Sequence, residues 1–198
     1  VEVMHRHVPE RGEDDRVVYS IQGAIMRISA NGGNPETLLK DEGICIAPEI
    51  LPGGKSVLFT GGTAPYKIIA KSIESGERKE LFAGDTARYV STGHIVYSLE
   101  NNLFAIGFDP DRLKVVGGPV SLVEGIFRTT APQYALSDSG TLVYVPGMSE
   151  AGGPGRTLVW VDRTGKEAPL PAEPKDYRTP KISPDGRKVA LTIYTEGK

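Results

Sequence analysis

The 198-residue chain has little of what disulfides, membrane spans and nucleic-acid sites require. Its single cysteine, Cys45, cannot form an internal disulfide, and we expect it to be a small buried residue in the apolar run 44–48. No apolar stretch approaches the roughly 20 residues of a membrane span, so we predict no membrane insertion in this segment. The 23 basic and 25 acidic residues give a net charge of −2. Without a basic block, nucleic-acid binding is not expected.

Catalytic and metal-binding motifs are also missing from the sequence. The region around Ser149 lacks the second glycine of a hydrolase nucleophile elbow. The glycine loop 152–156 lacks the Gly-Lys-Ser/Thr end of a phosphate-binding loop, and we interpret it as a linker between two strands. His5 and His7 fall on one face of a strand, but no third or fourth metal ligand is evident. We therefore predict no enzymatic activity, no cofactor and no metal in this chain.

An internal repeat is the strongest positive signal. Residues 48–60 (PEILPGGKSVLFT) return as residues 180–192 (PKISPDGRKVALT). The offset, 180 − 48 = 132, is three times 44, and about 44 residues is the length of one four-stranded propeller blade. The chain is therefore predicted to be an array of equivalent units, with its function on the faces of the array.

Two series of turn glycines support the repeat. The first series is Gly54, Gly93, Gly140 and Gly186, with spacings of 39, 47 and 46 residues. The second series is Gly33, Gly76, Gly118 and Gly165, with spacings of 43, 42 and 47 residues. Both have the same mean period, so we expect tight turns at both sets of positions in every unit.

The segments between these turns are typical of β-strands. Apolar, β-branched and aromatic runs are bounded by Gly, Pro, Asn, Asp and Ser, and no window shows helical periodicity over three turns. The clearest unit predicts strands at residues 49–51, 56–60, 67–73 and 78–82. The next unit predicts an outer strand at 120–123, and Asp109 and Asp111 beside Pro110 are interpreted as turn chemistry rather than a calcium site.

The predicted fold is all-β: a partial β-propeller of about four to five four-stranded antiparallel blades. The approximate repeats are 1–43, 44–84, 85–125, 126–174 and 175–198, the last incomplete. We expect the chain to be a fragment of a longer polypeptide. Blade edges left open in such a fragment favour self-association.

The repeat motif also resembles a known family. Residues 180–190 (PKISPDGRKVA) match the proline, serine, Pro-Asp-Gly turn and apolar strand of the TolB-like propellers with WD40-like repeats, and residues 48–59 match with Gly53 in place of the aspartate. Segments 108–113 and 158–170 look like propellers that follow bacterial serine/threonine kinase domains. The resemblance implies a complete propeller of six blades and a role as an extracytoplasmic or periplasmic sensor or protein-interaction platform. Similar arrays also precede α/β-hydrolase domains.

Three predicted inter-repeat connections carry arginine beside aromatic or hydroxyl residues, and we call their six residues the predicted rim. The six are Arg88, Tyr89, Arg128, Tyr134, Tyr177 and Arg178. In a propeller such connections meet near the channel mouth, where guanidinium groups can receive a carboxylate or an acidic peptide. In the alternative interpretation, the same side chains bond neighbouring loops and seal the ring.

Three functions remain open from the sequence. The first is a non-catalytic protein- or peptide-binding or sensing module. The second is a propeller enzyme with a channel active site, but the predicted innermost strands supply Glu49 as their only acidic residue and no histidine. The third is an accessory propeller that gates a fused hydrolase or kinase.

Overall fold

The computed structural model describes residues 10–11, 16–21, 23–41, 43–137, 140–147, 156–162 and 164–195. The sequence interpretations of His5, His7, Ser149 and residues 152–155 lie outside these ranges. The described residues form β-strands and no helix. Among them, no helix is long and apolar enough to cross a membrane.

The strands form five sheets in which spatial order follows chain order. The first sheet contains β1 (Glu10–Arg11), β2 (Arg16–Ile21), β3 (Ala24–Ser29) and β4 (Glu36–Lys40). The second contains β5 (Ile44–Ile50), β6 (Ser56–Gly62), β7 (Lys67–Ser72) and β8 (Arg78–Ala83). The third contains β9 (Asp85–Val90), β10 (His94–Leu99), β11 (Asn102–Asp109) and β12 (Lys114–Val123). The fourth contains β13 (Tyr134–Leu136), β14 (Leu142–Tyr144), β15 (Val159–Val161) and β16 (Glu167–Pro169). The fifth contains β17 (Asp176–Ile182) and β18 (Val189–Tyr194).

The chain divides into two compact units. The first unit comprises Val1–Tyr89 with Ile106–Gly118, and the second comprises Val90–Ala105 with Pro119–Lys198. In the first unit, β6 is buried along almost its whole length. Successive residues of a strand point to opposite faces of a sheet, so both faces of β6 are covered. The apolar run in the middle of this repeat therefore packs on both sides.

The second unit contains two apolar clusters. Val96, Leu103 and Ile126 belong to one cluster, together with Tyr134 and Tyr144. The other cluster consists of four buried residues: Val143, Val145, Leu158 and Tyr177. Alternate residues of β14 therefore belong to different clusters, as expected for a strand buried on both faces.

The first series of glycines makes the same turn in four sheets. In each turn the glycine amide donates to the carbonyl of the residue three positions earlier. The bonds are Gly54 to Leu51 (3.0 Å), Gly93 to Val90 (2.9 Å), Gly140 to Ser137 (2.9 Å) and Gly186 to Ser183 (2.8 Å). All four glycines have positive φ, between 70 and 81°. The sequence prediction of a turn at these positions is confirmed.

In the second series of glycines, the predicted turn is wrong at one position. Gly118 lies inside the ten-residue strand β12 rather than in a turn, and the positive φ of 76° belongs to Gly117. The turn comes earlier, because the Asp109 carboxylate accepts bonds from the amides of Asp111 and Arg112, both at 3.0 Å. The outer strand therefore begins at Lys114 instead of the predicted residue 120, and the interpretation of Asp109 as turn chemistry is confirmed.

A bulge explains the repeated proline. The pairing register of β5 with β6 shifts between Ile46 and Glu49. That of β17 with β18 shifts between Arg178 and Lys181. Each bulge contains a residue with positive φ followed by proline: Ala47 (53°) before Pro48, and Thr179 (48°) before Pro180. A bulge takes a residue out of the ladder, so the missing proline N–H costs no ladder bond. Because Pro48 sits in a bulge, β5 begins at Ile44 and not at the predicted residue 49.

The first strands of two sheets, β9 and β17, are also tied to the preceding sheet by side chains. The Thr86 amide donates to Thr60 Oγ1 at 2.8 Å, and the Tyr89 amide donates to Glu49 Oε2 at 3.0 Å, both within the first unit. In the second unit the Thr179 amide donates to Gln133 Oε1. Thr86 and Thr179 both have positive φ, so each strained residue directs its amide at an acceptor in the sheet before it.

Candidate partner-binding site

The structure places Arg88 and Tyr89 of the predicted rim inside β9, not in a connection. Gly84 alone separates β8 from β9, so the link is too short to hold them. The Tyr89 ring packs edge-on against Phe108, with ring centroids 6.3 Å apart. Both Arg88 and Tyr89 are half-buried.

Arg128 bonds a neighbouring turn within the second unit. Its Nε donates to the Glu100 carbonyl at 2.9 Å, and its Nη2 donates to Ser98 Oγ at 2.6 Å. These contacts join the approach to β13 with the turn between β10 and β11. They match the sealing interpretation of this arginine.

Two rim tyrosines are core residues, which corrects their expected place on a binding surface. Tyr134 lies in the apolar cluster around Ile126. Tyr177 is only 4% exposed, and its hydroxyl donates to the Glu173 carbonyl. Both lie on innermost strands, where alternate side chains point into the neighbouring sheet. Binding by the other rim residues stays a prediction.

Arg178 belongs to a cluster that the sequence did not reveal. We name as the cationic cluster Phe127, Arg156, Asp176, Arg178 and Tyr194, all in the second unit. Arg156 Nη1 lies 3.1 Å from Asp176 Oδ1, and Arg178 Nη2 lies 2.7 Å from Asp176 Oδ2. One carboxylate thus holds two guanidinium groups together.

Aromatic rings flank both guanidinium groups. The Cζ atom of Arg156 lies 3.5 Å from the centroid of the Phe127 ring, and that of Arg178 lies 4.3 Å from the centroid of the Tyr194 ring. A cation over an aromatic face is stabilised by the ring quadrupole. The arginine side chains nevertheless stay 28% and 35% exposed, and Tyr194 stays 53% exposed. The cluster is therefore ordered but open to solvent.

Backbone pairing positions these side chains. Asp176 and Arg178 are two apart on β17 and share a face of the sheet, and Tyr194 is paired directly opposite Asp176 on β18. Arg156 is held by reciprocal backbone bonds with Lys175 at 2.9 and 3.1 Å. With Phe127, which stacks on Arg156, the cluster therefore draws on four separate segments of the chain.

Hydrogen bonding sets the charge of the cluster. Bonding to Arg178, with further attraction from both guanidinium groups, lowers the pKa of Asp176, while bonding to Asp176 raises the pKa of Arg178. Asp176 is therefore ionised at neutral pH, and two positive charges surround one negative charge. The site can accept a further carboxylate or other oxyanion through charge-assisted bonds.

Sequence reasoning missed four members of this cluster. Arg156 was interpreted as the end of a linker, and Phe127, Asp176 and Tyr194 were not singled out. These residues are distant along the chain and do not recur at the repeat spacing, so only the register of β17 with β18 and the Arg156–Lys175 pairing bring them together. Within the part of the chain that the structure describes, no group of three or more His, Cys, Asp or Glu residues is placed to hold a metal ion.

Comparison with known proteins gives the fold. No protein-family model and no curated protein matches the chain. The solved structure of TolB from Acinetobacter baumannii matches with a TM-score of 0.67 and 17% identity over 94% of this chain and 49% of that chain. The chain has a TolB-like β-propeller fold. This confirms the predicted all-β partial propeller, and the four-stranded sheets are its blades.

Other propellers are similar to a lesser degree. A chain of a nidogen–laminin complex matches with a TM-score of 0.59 and 15% identity over 92% of this chain and 69% of that chain. A puromycin-hydrolyzing peptidase from Mycobacterium tuberculosis matches with a TM-score of 0.57 and 13% identity over 93% of this chain and 44% of that chain. The chain thus spans about half the length of TolB and less than half of the peptidase. Such identities show the shared fold alone.

Proposed function

We propose that this propeller segment is a non-catalytic protein-interaction module and that the cationic cluster receives an acidic group of the partner. The observation that carries the proposal is the pair of part-exposed arginines held by Asp176. Arginine is enriched at the energetically dominant positions of interfaces, where its planar fork binds carboxylates bidentately. A related fold occurs in a nidogen–laminin complex, in keeping with a role in protein binding.

Preorganisation supports this use of the cluster. The Phe127 and Tyr194 rings and the Asp176 carboxylate already restrict both guanidinium groups. A binding partner then loses less affinity to the ordering of long side chains. Tyr194 adds an exposed aromatic surface beside Arg178, and such surface strengthens contacts at an interface.

The larger protein is also part of the proposal. On the family resemblance, we infer that the parent polypeptide carries a bacterial serine/threonine kinase domain, with the propeller as its sensor. A propeller that gates a fused α/β-hydrolase is the alternative. The complete reading frame distinguishes the two by the catalytic domain that it encodes.

Fluorescence anisotropy with a labelled octaglutamate peptide tests the proposed site. We expect saturable binding to the 198-residue chain, and about tenfold weaker binding for Arg156→Gln and for Arg178→Gln, because each loses one charge-assisted contact. Arg112→Gln is the matched control, since Arg112 is 81% exposed and pairs with Asp109 at 3.7 Å outside the cluster.

Three results would contradict this proposal. One is no saturable binding of octaglutamate, and another is equal binding of a labelled octaglutamine peptide. The third is a loss in Arg112→Gln as large as in the cluster variants, because binding would then follow net charge and not the site. Thermal unfolding of each variant confirms that the fold is retained.

A further inference from the structure

A second positively charged site lies in the first unit, on the first blade. A cleft of about 470 Å³ opens at the end of β2, β3 and β4, beside the β3–β4 loop. The lining side chains used below are Arg16, Arg27, Ser29, Asn31, Asn34 and Glu36. The volume falls within the range of small-molecule sites.

Two arginines from different strands meet at one carboxylate oxygen in this cleft. Arg16 Nη1 lies 2.9 Å from Glu36 Oε1, and Arg27 Nε lies 2.8 Å from the same atom. Strand register explains the arrangement, since Arg27 is paired opposite Glu36 on β4. The three side chains carry a net charge of +1, and Glu36 keeps the two guanidinium groups close despite their repulsion.

Donor groups remain available for a ligand. Within the described residues, Arg27 uses its Nε for Glu36, and its two Nη groups have no partner. An arginine fork of this kind matches the geometry of a carboxylate or phosphate. The Arg27 side chain is also 28% exposed, so its guanidinium group can be reached from solvent although most of the side chain is packed.

The β3–β4 loop supplies the rest of the wall. The Asn31 amide donates to Ser29 Oγ at 3.2 Å, and the Gly32 amide donates to the Ser29 carbonyl at 2.9 Å. Gly32 has a φ of 89°, and a Cβ placed on it would meet no atom within 4 Å. The loop backbone at Gly32 thus faces open space. The exposed Asn31 and Asn34 line the same cleft, and their amide side chains can both donate to and accept from hydroxyl groups.

We propose that this cleft binds a small polar molecule that carries one carboxylate or phosphate group. Arg27, with Arg16 beside it, holds the oxyanion, and the asparagines contact the polar body. The site is formed by another sheet than the cationic cluster, so it does not depend on the proposed protein partner. Glu36 orders the arginines but also opposes the ligand charge.

Isothermal titration with glucose 6-phosphate, glucuronate and glucose tests this proposal. We expect saturable binding of one of the two anions and none of neutral glucose; the preferred anion tells whether the head group is phosphate or carboxylate. Arg27→Gln should weaken binding about tenfold, the effect of one lost charge-assisted contact. Glu36→Gln should tighten binding, since the net charge of the cleft rises by one.

The variants separate a site from a structural ion pair. If Arg27 and Glu36 served only stability, Glu36→Gln would lower the unfolding temperature without tightening any ligand. Arg112→Gln again controls for net charge and should leave the dissociation constant unchanged. Lack of saturable binding to either anion, or equal losses in Arg27→Gln and Arg112→Gln, would overturn the proposal. Arg27→Lys keeps the charge without the fork, so it replaces Arg27→Gln if the latter does not fold.

Discussion

Asp41 and Cys45 show at the residue scale how two neighbouring blades are joined. The Asp41 carboxylate receives Arg78 Nε at 3.0 Å and lies 3.4 Å from Lys71 Nζ, with its side chain only 6% exposed. Cys45 is buried beside this group, as the sequence predicted. Burial first, and then the negative charge of Asp41, raise the pKa of the Cys45 thiol from 9.0 to about 11.

The raised pKa predicts that Cys45 stabilises the fold less in alkali. A thiol whose pKa is higher in the folded chain contributes stability below pH 9, and this contribution is lost as the pH rises from about 9 to about 11. Urea unfolding of the wild type and of Cys45→Ala at pH 8 and pH 10.5 measures the effect. The destabilisation caused by the substitution should be smaller at pH 10.5, and an equal difference at both pH values would contradict the buried neutral thiol.

At the scale of elements, the glycine turn is the feature that recurs in four of the five described sheets. Gly54 has a φ of 71°, and a Cβ there would meet no atom within 4 Å. A side chain at this position is therefore opposed by backbone strain alone. Gly118 offers the matched comparison, because its added Cβ also meets nothing and its φ is not positive.

Alanine substitution should distinguish these two glycines. Gly54→Ala should lower the free energy of unfolding by about 1–2 kcal/mol, the cost of a left-handed non-glycine residue. Gly118→Ala should be neutral or slightly stabilising, because alanine restricts the unfolded chain without straining the folded one. Equal destabilisation in urea unfolding would show that the turn is not left-handed at Gly54.

Sequence reasoning predicted the elements better than their irregularities. Spacing located Gly54 and Gly186, because a tight turn demands glycine in every repeat. It misplaced the start of β5, because Pro48 is compatible with a strand only within a bulge that local sequence does not announce. The cationic cluster was not predicted for another reason. Backbone pairing brings Arg156 to Asp176 and Tyr194 to Arg178, and no local pattern encodes that register.

At the scale of the molecule, the same kind of hydrogen bond, from a backbone amide to a side-chain oxygen, recurs between neighbouring blades. Thr86 and Thr179, both at positive φ, direct their amides at Thr60 Oγ1 and Gln133 Oε1 of the preceding blades. The repeat boundaries, the kinase connection and self-association through open edges stay predictions of the sequence.

Amide hydrogen exchange at Thr86 and Thr179, measured by NMR, tests most directly the claim that successive repeats pack as neighbouring blades. The account predicts exchange at least about a hundredfold slower than in an unstructured chain. It also predicts that Thr60→Val accelerates exchange at Thr86 while leaving Thr179 protected, and that Gln133→Leu does the reverse. Exchange of both amides at the unstructured rate, in a chain whose β6 amides are protected, would contradict blade packing.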